Sequence, residues 1–136
     1  MMGNFSSIDI SASGLYAQRT RLDVIANNIA NANTTRTANG GPYRKQEVIF
    51  QSHMDKFDGQ NGGVDVAEVV ESPQPPRMVY DPSHPDAGPD GMVAMPNVNV
   101  VEEMVDLVTA TRSYEANIQA INAAKGMANR ALELGR

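Results

Sequence analysis

Residues 97–136 read NVNVVEEMVDLVTATRSYEANIQAINAAKGMANRALELGR, and this stretch decides the fold. Positions separated by steps of three and four form one line along it, and most of them are apolar: Met104, Leu107, Thr111, Tyr114, Ile118, Ile121, Lys125, Ala128 and Leu132. The spacing predicts a long amphipathic helix with the register of a coiled coil. At 1.5 Å per residue this helix would be about 50 Å long, which is more than a small domain needs to cover one compact core.

Residues at both ends of the helix match known start and stop signals. Asn99, three residues before Glu102, is typical of an N-cap with a reciprocal acidic partner. At the other end, Gly135 is expected to stop the helix in the left-handed conformation that glycine adopts readily.

A second helical pattern runs from Ile8 to about Asn31. Its apolar residues Ile8, Leu15, Leu22 and Ile29 are spaced seven apart, as in the C-terminal helix. Gly14 within this pattern costs about 1 kcal/mol relative to alanine. We therefore expect this helix to need a packing partner.

Four asparagines follow at the end of this pattern: Asn27, Asn28, Asn31 and Asn33. Asparagine amides compete for backbone hydrogen bonds, so the helix could simply fray into a loop here. Alternatively, Asn27 and Asn31, four residues apart, could present their amides to a packed neighbour. Composition leaves both interpretations open.

The middle of the chain favours short strands. Residues 43–51 and 64–70 have the composition of strands. Turn signals at Asp58-Gly59 and Asn61-Gly62-Gly63 lie between them, so a hairpin with a long tip is predicted. After a proline-rich segment, shorter strands are predicted at residues 77–80 and 92–95.

These patterns predict a mainly α protein with a small β insert. The N-terminal helix lies in residues 1–35, a β-rich insert with a central hairpin in residues 36–96, and the C-terminal helix in residues 97–136. The two terminal helices are expected to form a coiled-coil-like pair.

Composition excludes several classes of function. Eleven lysines and arginines against sixteen aspartates and glutamates give a net charge of −5, which argues against a nucleic-acid-binding face. The absence of cysteine excludes disulfides and thiolate chemistry. The N-terminus has neither a basic segment nor a continuous apolar segment, so it is not expected to be a cleavable secretory signal.

Catalytic and metal-binding patterns are equally scarce. The loop from Asp81 to Gly91 is rich in oxygen ligands, but Met92 stands where a calcium loop requires a bidentate glutamate. Neither His53 nor His84 has the spacing of a zinc ligand or a catalytic base. We therefore predict no catalytic, metal-binding or cofactor-binding residues, and we do not expect an enzyme.

The paired terminal helices leave two functions open. They could close the core of a monomeric helical-hairpin binding module. They could instead pack against copies of themselves and form an open assembly when the contact is head to tail. Periodicity is compatible with both.

Several motifs, in order, resemble bacterial flagellar basal-body rod proteins of the proximal-rod, FlgC type. The N-terminal segment GLYAQRTRLDVIANNIANANTT places Asn28, Ala30, Asn31 and Thr34 on the recurring asparagine-alanine-asparagine-threonine pattern of that family. The other matching segments are PYRKQEVIF (42–50), DPSHPDAGPDGMVAMPNVNVVEEMVDL (81–107) and RSYEAN (112–117).

This resemblance implies a structural subunit of a hollow, torque-transmitting shaft that is needed for swimming motility. It implies terminal helices in an inner layer around an axial channel, with the β insert outside. The implied partners are identical subunits, other flagellar rod proteins, basal adaptor and membrane-ring proteins, and the flagellar type III export apparatus. The implied location is the rod that crosses the periplasm, reached without a cleaved signal peptide.

The resemblance also implies which side chains lie between subunits. In this role the asparagines would form hydrogen bonds that fix the register of the helices, and the apolar residues would fill the seams. The expected interface residues are Leu15, Leu22, Ile25, Asn27, Asn28, Ile29, Asn31, Asn33, Met104, Leu107, Tyr114, Asn117, Ile118 and Ile121.

Overall fold

A computed structural model describes residues 2–54 and 61–135. Its elements are α1 (Met2–Ala30), β1 (Gln46–Met54), β2 (Asn61–Glu71), β3 (Arg77–Tyr80), β4 (Met92–Met95) and α2 (Val100–Leu134). The predicted mainly α fold with a small β insert is therefore confirmed. Neither helix of the described chain is long and apolar enough to cross a membrane.

The two helices pack against each other in opposite directions. Gly14 in α1 lies beside Asn117 of α2, whereas Asn28, further along α1, lies beside Glu103 near the start of α2. A Cβ atom added at Gly14 would be 3.1 Å from Asn117 Nδ2, so glycine leaves room for that amide. This contact explains a glycine within a helix. Helix α1 also begins earlier than the predicted Ile8, at Met2; no proline in this segment prevents the helix from extending.

Strands β1 and β2 form an antiparallel hairpin that packs along α1. Near the far end of the hairpin, Val64 N–H donates to Ser13 Oγ over 3.1 Å. A Cβ atom added at Gly63, whose φ is +119°, would overlap Ser13 Oγ, so only glycine fits this approach. At the near end, Gln46 is held by Asn28. Helix α1 therefore contacts α2 along one side and the hairpin along another.

Parts of the predicted hairpin lie outside the described residues. These are the tip at residues 55–60, which includes Asp58-Gly59, and the side chain of His53. The first strand begins at Gln46 rather than at residue 43, because Tyr43 N–H donates instead to Thr34 O, in the segment that follows α1.

A second, smaller sheet pairs β3 with β4, both at their predicted bounds. Val93 of β4 is fully buried. The loop from Asp81 to Gly91 connects the strands and is attached to the segment after α1. There Asp86 accepts hydrogen bonds from Thr35 Oγ1 at 2.6 Å and from Arg36 Nη2 at 2.7 Å. The hydrogen bond from Thr35, supported by the Arg36 charge, holds the pKa of Asp86 below its usual value of 3.8.

Only the first of the two ends of α2 agrees with the prediction. Asn99 caps the helix as expected, because its Oδ1 accepts from the N–H groups of Val101 and Glu102. The left-handed stop predicted at Gly135 is wrong. This residue has φ −81° and ψ −2°, and its N–H donates to Ala131 O and Glu133 O. The helix ends in a right-handed turn that does not need the conformational freedom of glycine.

Candidate functional site

The side chain of Asn28 is the centre of a buried polar cluster. It is 1% exposed. Its Nδ2 donates to Gln46 O over 2.9 Å and to Glu103 Oε2 over 3.4 Å. Its Oδ1 accepts from Tyr43 Oη at 2.8 Å and from the Gln46 backbone N–H at 3.0 Å. Two donors and two acceptor positions are all that an amide offers, so Asn28 is fully satisfied within its own chain.

Glu103 adds a buried charge to this cluster. Its side chain is 2% exposed, and Oε1 lies 3.1 Å from Lys45 Nζ. Burial lowers the pKa of Lys45, but the hydrogen bond and the charge of Glu103 outweigh this effect and raise it above its usual value of 10.5. We call Asn28, Tyr43, Lys45, Gln46 and Glu103 the Asn28 cluster.

The Asn28 cluster joins four parts of the chain. Asn28 is in α1, Tyr43 and Lys45 are in the segment before the hairpin, Gln46 begins β1, and Glu103 is in the first turn of α2. Because every polar group lies against a partner from another part, the cluster fixes how the helices and the hairpin meet.

The other asparagines behave differently from Asn28. Asn31 Nδ2 donates to Asn27 O over 2.9 Å, and Asn31 Oδ1 accepts from Thr34 Oγ1 at 3.2 Å. These local bonds satisfy groups at the end of α1. Asn27 and Asn33 are exposed. The helix does not fray at Asn27, since it continues through Asn27 and Asn28 to Ala30, and Asn31 and Asn33 lie in the turn that follows.

Sequence reasoning missed Lys45, Tyr43 and Glu103. A usable signal was the seven-residue spacing of Glu103, Ala110 and Asn117, which gives the side of α2 that contacts α1. The predicted line lies one residue further along, beginning at Met104, which is 52% exposed. The predicted line follows the largest apolar side chains of α2, whereas α2 contacts α1 through smaller and polar side chains.

The expected interface residues fall into three groups by exposure. Ile25 and Asn28 are buried, and Asn27, Asn33 and Met104 are exposed. The others are half-buried, so each keeps some surface that α1 and α2 do not cover: Leu15, Leu22, Ile29, Asn31, Leu107, Tyr114, Asn117, Ile118 and Ile121.

Large apolar side chains lie exposed along the terminal helices. On α2 they are Val101, Met104, Val105, Val108, Met127, Leu132 and Leu134, and on α1 they include Ile10 and Tyr16. Single exposed apolar residues are ordinary on protein surfaces, but groups of them mark sites of protein contact.

The loop from Asp81 to Gly91 uses its polar groups internally. Asp81 Oδ1 accepts from Ser83 N–H and Ser83 Oγ, and His84 Nδ1 accepts from Asp86 N–H. Within residues 2–54 and 61–135, no three histidine, aspartate or glutamate side chains are grouped so that they could hold a metal ion.

Comparison with known proteins identifies the two helical regions separately. The family described as "Flagella basal body rod protein" matches residues 8–36, which contain most of α1. The family described as "Flagellar basal body rod FlgEFG protein C-terminal" matches residues 90–134, which contain β4 and α2.

Similar proteins match over the whole chain. "Flagellar basal-body rod protein FlgC" of Borreliella burgdorferi is 46% identical over 151 residues, covering 98% of each chain. Proteins with the same name from Bacillus subtilis and Salmonella typhimurium are each 46% identical over 99% of this chain and 100% of their own. At this identity and coverage, the chain belongs to the FlgC family and is a structural subunit of the flagellar basal-body rod.

Proposed function

We propose that this chain forms the proximal part of the rod by polymerising through its terminal helices. Many copies together make a hollow shaft that transmits torque for swimming. Torque passes as load spread over helix contacts, so the mechanism contains no catalytic step. The observation that carries the proposal is the uncovered surface of α2.

Helix α2 is poorly covered by its own chain. Of its 35 residues, all of which lie in the described part of the chain, only Glu103 and Ala110 are buried. Helices in proteins gain most of their stability from packing an amphipathic face against a partner. A helix of this length with so little buried surface is suited to contacts with neighbouring subunits.

The proposed interface keeps the expected set: its exposed and half-buried members contact a neighbouring subunit directly, whereas Ile25 and Asn28 are buried and support the helices from within. Leu22 and Ile118 represent its two helices, and Met104 is its most exposed apolar member on α2. Asn28 cannot bond a neighbouring subunit, because all four hydrogen-bonding positions of its amide are occupied within the chain. Its role in the interface is to hold the helices in position.

Membership of the family supports the proposed partners. They are identical subunits, other rod proteins, and the adaptor and membrane-ring proteins at the base of the rod. We propose that the chain crosses the inner membrane through the flagellar type III apparatus without a cleaved signal peptide. A monomeric binding module would leave the family membership unexplained.

Deleting the gene in its own bacterium and reintroducing the wild-type gene or a variant tests this proposal. Deletion should abolish rods and swimming, and the wild-type gene should restore both. Leu22→Asp and Ile118→Asp should fail to restore them because each places a charge in a helix seam, whereas the conservative Leu22→Met should succeed. Circular dichroism of the purified variants checks that the helices still form. Rods and swimming with both aspartate variants would contradict the proposed interface.

A further inference from the structure

Methionine side chains differ in exposure between the helix α2 and the small sheet. Among those that the structure describes, Met104 and Met127 of α2 and Met78 of β3 are between 52% and 65% exposed. Met92 and Met95 of β4 are half-buried. A single chain therefore presents some of its thioether groups to solvent and partly shields others.

An exposed thioether reacts with mild oxidants. A hydroperoxide transfers one oxygen atom to the sulfur, which loses two electrons and becomes a sulfoxide, while the hydroperoxide is reduced to water or to an alcohol. The product is a polar side chain in place of a flexible apolar one. A thiol-dependent sulfoxide reductase reverses the step, because two thiols are oxidised to a disulfide and the oxygen leaves as water.

Met104 lies between two exposed valines on one face of α2. Val101 is three residues before it and Val108 is four residues after it, so the three side chains are neighbours. A sulfoxide at Met104 would place a polar oxygen in the middle of this apolar face. Burying a polar group without a hydrogen-bond partner is unfavourable. Oxidation of Met104 therefore opposes the coverage of this surface by a neighbouring subunit.

Met127 lies in a part of α2 with small side chains. Its neighbours one helical turn away include Ala123, Ala124 and Ala131. Met127 therefore supplies most of the apolar surface that this turn offers to a neighbouring subunit. Conversion of its thioether to a sulfoxide makes that surface polar.

We propose that Met104 and Met127 are oxidised to methionine sulfoxide by hydroperoxides in the unassembled subunit, and that this change opposes incorporation into the rod. The inference rests on the proposed function, because that function supplies the neighbour that covers α2. Incorporation covers both side chains and protects them from further oxidation. Reduction of the sulfoxides restores a chain that can assemble.

Peptide mass spectrometry measures the oxidation rate at each methionine. The purified chain and rods isolated from the bacterium receive the same dose of hydrogen peroxide. In the free chain, Met104 and Met127 should be oxidised several-fold faster than Met92 and Met95. In rods, the rates at Met104 and Met127 should be several-fold lower than in the free chain. The chain unfolded in urea is the control, in which all methionines should react at similar rates.

Glutamine substitutions test the effect on assembly, because glutamine resembles methionine sulfoxide in size and polarity. In the deletion strain, Met104→Gln and Met127→Gln should each lower the number of rods per cell several-fold at equal amounts of exported chain. The matched apolar changes Met104→Leu and Met127→Leu should retain most of the rods. Circular dichroism of the purified variants checks that the helices still form.

Each other outcome overturns a specific statement. Equal rates at exposed and half-buried methionines in the folded free chain would overturn the assignment of the two oxidation sites. Equal rates at Met104 and Met127 in rods and in the free chain would overturn their protection by neighbours. Wild-type numbers of rods with both glutamine variants, or an equal loss with glutamine and leucine, would overturn the effect of polarity on incorporation. Wild-type chain absent from isolated rods would instead overturn the proposed function.

Discussion

The two ends of the helix pair are held together in different ways. At one end, where α1 stops and α2 begins, the Asn28 cluster ties both helices to the hairpin through buried polar groups. At the other end, where α2 finishes, Met127, Leu132 and Leu134 lie exposed. At the first end the buried polar groups find their partners within one chain, and the exposed apolar side chains there, such as Met104, lie on another face of α2. At the second end none of residues 111–134 of α2 is buried.

This difference distinguishes the residues that stabilise the fold of one chain from the residues that we propose to join subunits. Buried polar groups must be satisfied by partners in fixed positions, so they determine one arrangement of the chain. Exposed apolar surface favours association with any complementary partner. We expect substitutions in the Asn28 cluster, at the first end, to lower the free energy of unfolding of the purified chain. Substitutions at the second end should affect assembly more.

The largest effect is expected for Asn28→Ala. The change leaves the Gln46 backbone N–H and C=O and the Tyr43 hydroxyl without their partner. Unsatisfied buried groups cost about 1 to 3 kcal/mol each, so the free energy of unfolding should fall by about 3 kcal/mol. Urea unfolding followed by circular dichroism measures the loss. The exposed neighbour Asn27→Ala serves as control and should lose less than about 0.5 kcal/mol. Equal losses would show that the buried hydrogen bonds of Asn28 contribute no more to stability than the exposed amide of Asn27.

A smaller loss is expected for Lys45→Met. The substitution removes the cation that lies 3.1 Å from the buried Glu103 carboxylate. Removing one partner of a fully buried pair costs about 3 to 5 kcal/mol, and because Lys45 is partly exposed we expect about 2 kcal/mol. Urea unfolding again provides the measurement. Adding Glu103→Gln to Lys45→Met should recover part of the loss, since it removes the uncompensated charge. A double variant less stable than Lys45→Met would contradict the pairing.

Alkaline pH should weaken the same end of the molecule. Burial, with the charges of Glu103 and Glu71, raises the pKa of Tyr43 above its usual 10.0, and the pKa of Lys45 is raised above 10.5. A pKa raised by folding contributes stability that is fully present below the unfolded pKa and is lost as pH rises through the folded pKa. The free energy of unfolding should therefore fall from about pH 10 upward. Thermal unfolding between pH 8 and pH 11 tests this. Tyr43→Phe should show a shallower fall, and an unchanged slope would exclude Tyr43 as a contributor.

The sequence predicted the structural elements that depend on local signals. Helix α2 has a clear period, Asn99 is a typical N-cap, and β3 and β4 were predicted at their observed bounds. Such features need only residues that are close together along the chain. The hairpin was also predictable, because its turn signals lie between two strand-forming segments.

The Asn28 cluster could not be predicted in the same way. Its members come from separate segments, and the spacing of Glu103, Ala110 and Asn117 gives a side of α2 without showing that a glutamate on that side is buried while Glu102 is exposed. Charged residues are usually solvent-exposed, whereas methionine is usually buried. Both tendencies fail at the start of α2, where Glu103 is buried and Met104 is exposed. The exception becomes intelligible only when Lys45 and Asn28 are seen beside Glu103.

The smallest effect on the purified chain is expected for Met127→Ala. Met127 is 65% exposed, so its truncation removes few contacts within the chain and should change the free energy of unfolding by less than about 0.5 kcal/mol. The matched truncation Val24→Ala, at a buried position in α1, should cost about 2 kcal/mol by urea unfolding. In the bacterium, compared at equal amounts of exported chain, Met127→Ala should reduce rod formation more than Val24→Ala does, because Met127 lies on the uncovered surface of α2 and should be covered by a neighbouring subunit. Met127→Ala should then lower the number of rods per cell more than a folding defect of its size explains. A large loss of stability for Met127→Ala would show that this end is already packed within one chain. Unchanged rod numbers would show that Met127 stays exposed after assembly.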